Sequence, residues 1–232
     1  MSTPNPTALS SLPASILEEP QRLPRGPHGL SRDEVAASQR ARLQRALTKL
    51  LAEGGWAEVK IGPLCSRAGV SRGTFYAHFK SREECLLSAY RDWAGTLVSA
   101  ITVEVPAEAG WTAFVTTTLD AYLGALAADP AATRAFVVEM DAAGPEARAA
   151  RRDSLNLFST VFAARHAEIR TVDPGLAPIP DRVYLAIAFA VRELIRDELE
   201  SREPDELPGL RDDLVFFATA IVQGAGLVPA QR

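Results

Sequence analysis

Cysteine and histidine are scarce in this 232-residue chain, and each scarcity closes off a class of function. Two cysteines, Cys65 and Cys85, are too few for a disulfide framework, so a reducing, cytoplasmic setting is expected. Three histidines, His28, His78 and His166, lie far apart with no second ligand at metal spacing. Neither a metal nor any other cofactor is therefore expected. Uninterrupted apolar runs of membrane-spanning length, about 18 residues, are missing, and no membrane partner is expected. The first 30 residues hold six prolines but no basic segment followed by an apolar core, so they do not read as a secretory signal. Strand-like alternation is absent throughout. Serine, histidine and acidic residues are too scattered to pair a nucleophile with a base, and no glycine-rich phosphate loop occurs, so no enzyme is expected.

Charge is present but unevenly placed. Residues 30–82 hold ten Lys/Arg against four Asp/Glu, a net of +6, whereas residues 83–232 hold 13 against 23, a net of −10. Residues 1–29 are neutral on balance. A basic block on an acidic body suits one end built for a polyanion, although a solvated charged face explains the split as well if charge stands alone.

The pattern is helical. Residues 1–30 lack periodicity and read as a disordered arm, in which Arg22 and Arg25 are candidates for the minor groove or parts of a plain tail. Ser31 or Asp33 can cap a helix starting near Glu34. Leu43, Ala46, Leu47, Leu50 and Leu51 then form its apolar face, and Gly54-Gly55 is expected to stop it. Short helices follow at 61–68 and from Ser71 through Phe79. Ser81-Arg82-Glu83-Glu84 reads as a capping box for a long helix to about Val103. Breakers divide the rest into expected helices at 111–128, 131–141, 146–170, 181–201 and 210–223. The expectation is an all-α chain of about nine helices: an arm at 1–30, a small domain at 31–80 and a larger helical domain at 81–232.

Two short helices separated by a tight glycine turn, at 61–79, make a helix-turn-helix pattern. Leu64, Val70, Phe75 and Phe79 are spaced to pin the helices together, leaving Arg72, Gly73, Thr74, Tyr76 and His78 for the outer surface. Arginine can bond guanine edges bidentately, while a tyrosine hydroxyl or a cation positions a protein on phosphates without reading sequence.

The segment IGPLCSRAGVSRGTFYAHFKSREECLLSAY, Ile61 to Tyr90, resembles the DNA-binding region of the TetR family of bacterial transcriptional regulators, most specifically in the run AGVSRGTFYAHFKSREE. The resemblance covers about Ser31 to Tyr90. It departs at Lys60, where the family usually has a capping Thr or Ser, at Gly62-Pro63, and at Cys65, which replaces a usual alanine. It implies that Arg72 and Thr74 reach bases or nearby phosphates, that Gly73 permits close approach to the groove, and that Ser71 belongs to the same DNA-binding set. Tyr76 and His78 match phosphate-contacting positions, and Lys80 and Arg82 face the DNA backbone.

About 150 further residues exceed what a three-helix reader needs. Trp93, Trp111, Phe114, Tyr122, Phe136, Met140, Phe158, Phe162, Tyr184 and Phe189 could line a ligand cavity or form ordinary core. Asn156, Glu139 and Arg192 are polar candidates for orienting a ligand. Val183, Ile187, Val191 and Leu194 make one apolar stripe and Leu214, Phe217 and Ile221 another, suited to a four-helix homodimer seam, to intrachain core, or to both. The resulting expectation is a homodimeric repressor that binds palindromic double-stranded operator DNA and is released by a small, largely apolar effector. The alternative is a helical small-molecule-binding protein or enzyme whose glycine turn is incidental. Cys65 and Cys85 stand either as a redox pair or as packed thiols.

Overall fold

The computed structural model describes residues 31–102 and 104–225. The expected arm, with Arg22 and Arg25, lies outside them. Among the described residues every regular element is helical: α1 (Arg32–Glu58), α2 (Ile61–Ala68), α3 (Arg72–His78), α4 (Arg82–Ile101), α5 (Gly110–Ala128), α6 (Pro130–Thr133), α7 (Pro145–Val172), α8 (Asp181–Glu198) and α9 (Arg211–Gly224).

Caps explain the starts. Ser31 Oγ accepts from the Glu34 amide at 3.2 Å while the Glu34 carboxylate accepts from the Ser31 amide at 2.7 Å, a reciprocal box that satisfies two orphan donors. The regular helix of α1 breaks at the Gly54-Gly55 pair, as expected. Only Gly55 leaves helical geometry, at φ 69°, and one further turn carries Trp56 to Glu58. Before α4, Ser81 Oγ accepts from the Glu84 amide, but the Glu84 carboxylate accepts from the Lys80 amide at 2.6 Å, one residue earlier than a standard box.

The expected helix at 131–141 is not a uniform α-helix. After α6 the chain widens into a π-type turn over Arg134–Glu139 and tightens into a 3₁₀ turn over Met140–Ala143. The widened turn seats Phe136 against Tyr90 and Trp93, with ring centroids 5.7 and 5.2 Å apart. The stretch from Pro204 to Leu210, expected only as a breaker, forms a 3₁₀ helix around Pro208.

Two compact units emerge. One combines residues 31–96 with Asp129–Ala150, and the other combines Leu97–Ala128 with 151–225. Asp129 explains why the middle segment joins the N-terminal helices. It is buried, caps α6 through the Ala132 amide, and pairs with Arg45 of α1. In the second unit, Trp111 and Phe114 of α5 stack on Phe162 of α7, with centroids 6.2 and 5.4 Å apart, and Asp120 of α5 accepts from Arg211 at 2.6 Å.

Candidate nucleic-acid interface and ligand cavity

In the turn between α2 and α3, Gly69 adopts the left-handed conformation (φ 65°, ψ 40°) that a side chain with a Cβ resists. Its amide donates to the Ser66 carbonyl, and the next amide, of Val70, donates to Cys65. Ser71 then caps α3 by accepting from the Thr74 amide at 3.0 Å. Lys60 gives α2 no side-chain cap. That helix depends instead on buried Leu64, Cys65 and Ala68, which hold it by packing.

Phe75 and Phe79 are fully buried, and this fixes the face that α3 turns outward. Ser71, Arg72 and Gly73 are exposed, Thr74 is half-buried and Tyr76 is 57% exposed. The Arg72 guanidinium reaches back over Gly62, 3.2 Å from where a Cβ would stand. Among the described residues a Cβ on Gly73 would meet only the Ser71 hydroxyl, at an ordinary 3.6 Å, so none of them requires glycine there. The missing side chain lowers the outer surface of the helix instead.

His78 and Arg82 are committed to the fold. His78 is half-buried and its Nε2 lies 3.0 Å from Gln39 Oε1 of α1. Burial, then the nearby Arg40 charge, holds it below the usual histidine value. Arg82 lies 4.3 Å over the Trp56 ring and donates to the Val59 carbonyl at 2.5 Å. It ties the start of α4 to the end of α1. Lys80 remains exposed. Both cysteines are packed thiols: burial raises Cys65 and pushes Cys85 up to about 12, away from reactive thiolate.

The profile of bacterial regulatory proteins of the tetR family matches residues 43–89, which carry α2, α3 and the helix ends that clamp them. Residues 43–89 are a TetR-family domain. It is 39% identical over 57 residues to the uncharacterized HTH-type transcriptional regulator YerO of Bacillus subtilis, covering 25% of this chain and 20% of that one. It is 27% identical over 64 residues to the fatty acid metabolism regulator protein of the same organism, covering 28% and 33%. The chain thus spans a third or less of the length of these curated relatives. The fold likeness reaches further. The crystal structure of the transcriptional regulator FadR from Bacillus subtilis in complex with stearoyl-CoA aligns with a TM-score of 0.64, 17% identity, and coverage of 79% of this chain and 97% of that one. At that identity the likeness shows the fold alone.

Outside the TetR-family segment, the second unit holds a partly open cavity with a largely apolar wall. Tyr122, Phe158, Phe162 and Tyr184 line it. Trp111 and Phe114 stand behind Phe162. Trp93, Phe136 and Met140 do not line it: they are core of the first unit, where residues 129–150 pack. Asn156 is exposed, Phe189 lies under Arg152, and Glu139 sits beside Gly55 in the first unit. Arg192 is buried and paired with Glu193. Sequence reasoning missed Ile101, Thr118 and Ala218 on the wall, none of which stands out as aromatic or charged.

The stripes on α8 and α9 divide by depth. Ile187 and Val191 line the cavity and Leu214 is buried core, so these three belong to the interior of the chain. Leu214, Ala218 and Val222 point inward at four-residue spacing, which turns Phe216 outward at 75% exposure. Leu194 is 45% exposed, and Val183, Phe217 and Ile221 are half-buried. No helix among the described residues is long and apolar enough to cross a membrane. The described residues also contain no cluster of three metal-ligating side chains.

Proposed function

We propose that this chain is a cytoplasmic, homodimeric DNA-binding transcriptional regulator, a repressor released from a palindromic operator by a small, largely apolar effector. The observation that carries the reading is the division of α3 into a buried Phe75/Phe79 face and an exposed Ser71–Tyr76 face on a capped, clamped helix. Residues 31–80 read DNA, and residues 81–232 bind the effector and dimerise. Arg72 and Thr74 meet base edges, Gly73 permits close approach, and Ser71, Tyr76 and Lys80 bind phosphates. His78 and Arg82 act by holding the reader in place, through Gln39 and Val59.

The exposed Phe216 and Leu194 supply the dimer seam, with Val183, Phe217 and Ile221 beside them. Twofold symmetry then sets two reading helices about one DNA turn apart, ~34–36 Å, on the two halves of a palindrome. The apolar lining of the cavity favours an apolar effector, and a relative in fold is described with stearoyl-CoA. Helix α4 couples the sites: Arg82 at its start is tied beside the reader, and Ile101 at its end lines the cavity. An effector that prefers one placement of α4 shifts the reading heads by that difference in affinity.

A mobility-shift titration and footprint on the intergenic DNA beside the chain's own gene tests the reading. Protection of one palindrome supports it. Binding that does not discriminate this DNA from unrelated DNA of equal length contradicts it and favours a ligand-binding protein with an incidental helix-turn-helix.

A further inference from the structure

Among the described residues, the twelve that line the cavity carry only three polar side chains, the hydroxyls of Thr118, Tyr122 and Tyr184, and none that is charged at neutral pH. The Tyr184 hydroxyl bonds His166 Nδ1 at 2.6 Å, and Tyr122 packs edge-on against Phe158 and makes a further interaction of its own. Thr118 differs. It is 1% exposed, and its Oγ1 has no hydrogen-bond partner. A helical threonine ordinarily bonds the carbonyl one turn back, as Thr117 does to Ala113 at 2.9 Å, yet Thr118 does not do so with Phe114. Leaving a buried hydroxyl unbonded costs the full desolvation of that group. A trapped water is a poor remedy, because it needs two to four polar partners and this wall is almost wholly apolar.

We propose that the ligand of this cavity is an uncharged molecule with an apolar body and a single carbonyl or hydroxyl group, which the Thr118 hydroxyl meets by hydrogen bonding. This rests on the reading of the cavity as the effector site. Thr118 can donate to a carbonyl or accept from a hydroxyl. An ionised carboxylate at the same place would lose its hydration and find no cation on the wall, so acids are selected against.

Four ten-carbon probes that differ only at the head test this: decane, 1-decanol, 2-decanone and decanoate. Each competes against an uncharged fluorescent naphthylamine dye on the full-length protein. The alcohol and the ketone are expected to bind about tenfold tighter than decane, the size of one net hydrogen bond, and decanoate more weakly than either. Thr118→Val, nearly isosteric, is expected to erase the preference of both polar probes over decane, and Thr118→Ser to restore it. A melting curve of each variant confirms that it is folded. Equal or tighter binding of decanoate, an unchanged preference in Thr118→Val, or no binding by either uncharged polar probe overturns the proposal. Operator release is scored separately. Selective binding without release sinks the effector reading and leaves the head-group assignment standing, whereas release by unselective probes does the reverse.

Discussion

The Tyr184 hydroxyl lies 2.6 Å from His166 Nδ1, and both side chains are buried. Burial, then the Arg170 charge, holds His166 below the usual histidine value. The unfolded chain therefore takes up this proton before the folded one as the pH falls. Stability is complete above about 6.5, the ordinary histidine value, and is lost as the pH descends through the lower folded value. His78 is shifted the same way. Melting temperature is expected to fall between pH values of about 7.5 and about 5, with a shallower slope in His166→Asn. A variant with the wild-type slope contradicts a buried neutral His166.

Arg82→Ala removes a charge-assisted bond to the Val59 carbonyl and a stack on Trp56. The loss is expected to be about 2 kcal/mol in chemical denaturation. Arg82→Lys keeps the charge but not the planar stack, so it recovers only part. An alanine variant as stable as wild type would release Arg82 from its clamping role.

Tyr76→Phe leaves the exposed ring in place and deletes only its hydroxyl. Mobility shifts are expected to weaken by about fivefold on every duplex tested, because a phosphate bond carries no base information. A loss confined to particular sequences would make Tyr76 a base reader.

Phe216→Glu places a charge where the structure offers an exposed ring, so the single chain still folds. An unpaired ion in an apolar seam costs several kcal/mol. Light scattering is expected to show monomer and operator affinity to collapse. A dimer that survives the change removes α9 from the interface.

The reading half of the fold was legible because its punctuation is local. The Ser31 and Ser71 caps, the Gly69 turn and the Phe75/Phe79 spacing each act within four residues, and all stand where the sequence put them. Arg82 was less legible. Its position resembled a DNA-facing one, but its partners at Trp56 and Val59 exist only because the chain runs one turn past Gly55.

The aromatic interiors were not legible in detail. Aromatic residues marked both interiors alike, so Trp93 and Phe136 could not be told from Phe158 and Phe162 until Arg45 and Asp129 sorted the segments. Periodicity found the apolar faces of α8 and α9. It could not say that Leu214 turns inward while Phe216 turns out, since both are apolar and two residues apart. The widened turn at Arg134–Glu139 has no signature in residue type and follows from packing.

Arg72 on α3 is the proposed reader of DNA sequence. Selection of duplexes from a random pool by the wild-type protein and by Arg72→Ala addresses this role directly. A two-half-site palindrome is expected for the wild type. In the variant, base preference relaxes at one position of each half, by about 1–3 kcal/mol per contact. No enrichment by the wild type, or an identical motif from both proteins, would contradict it.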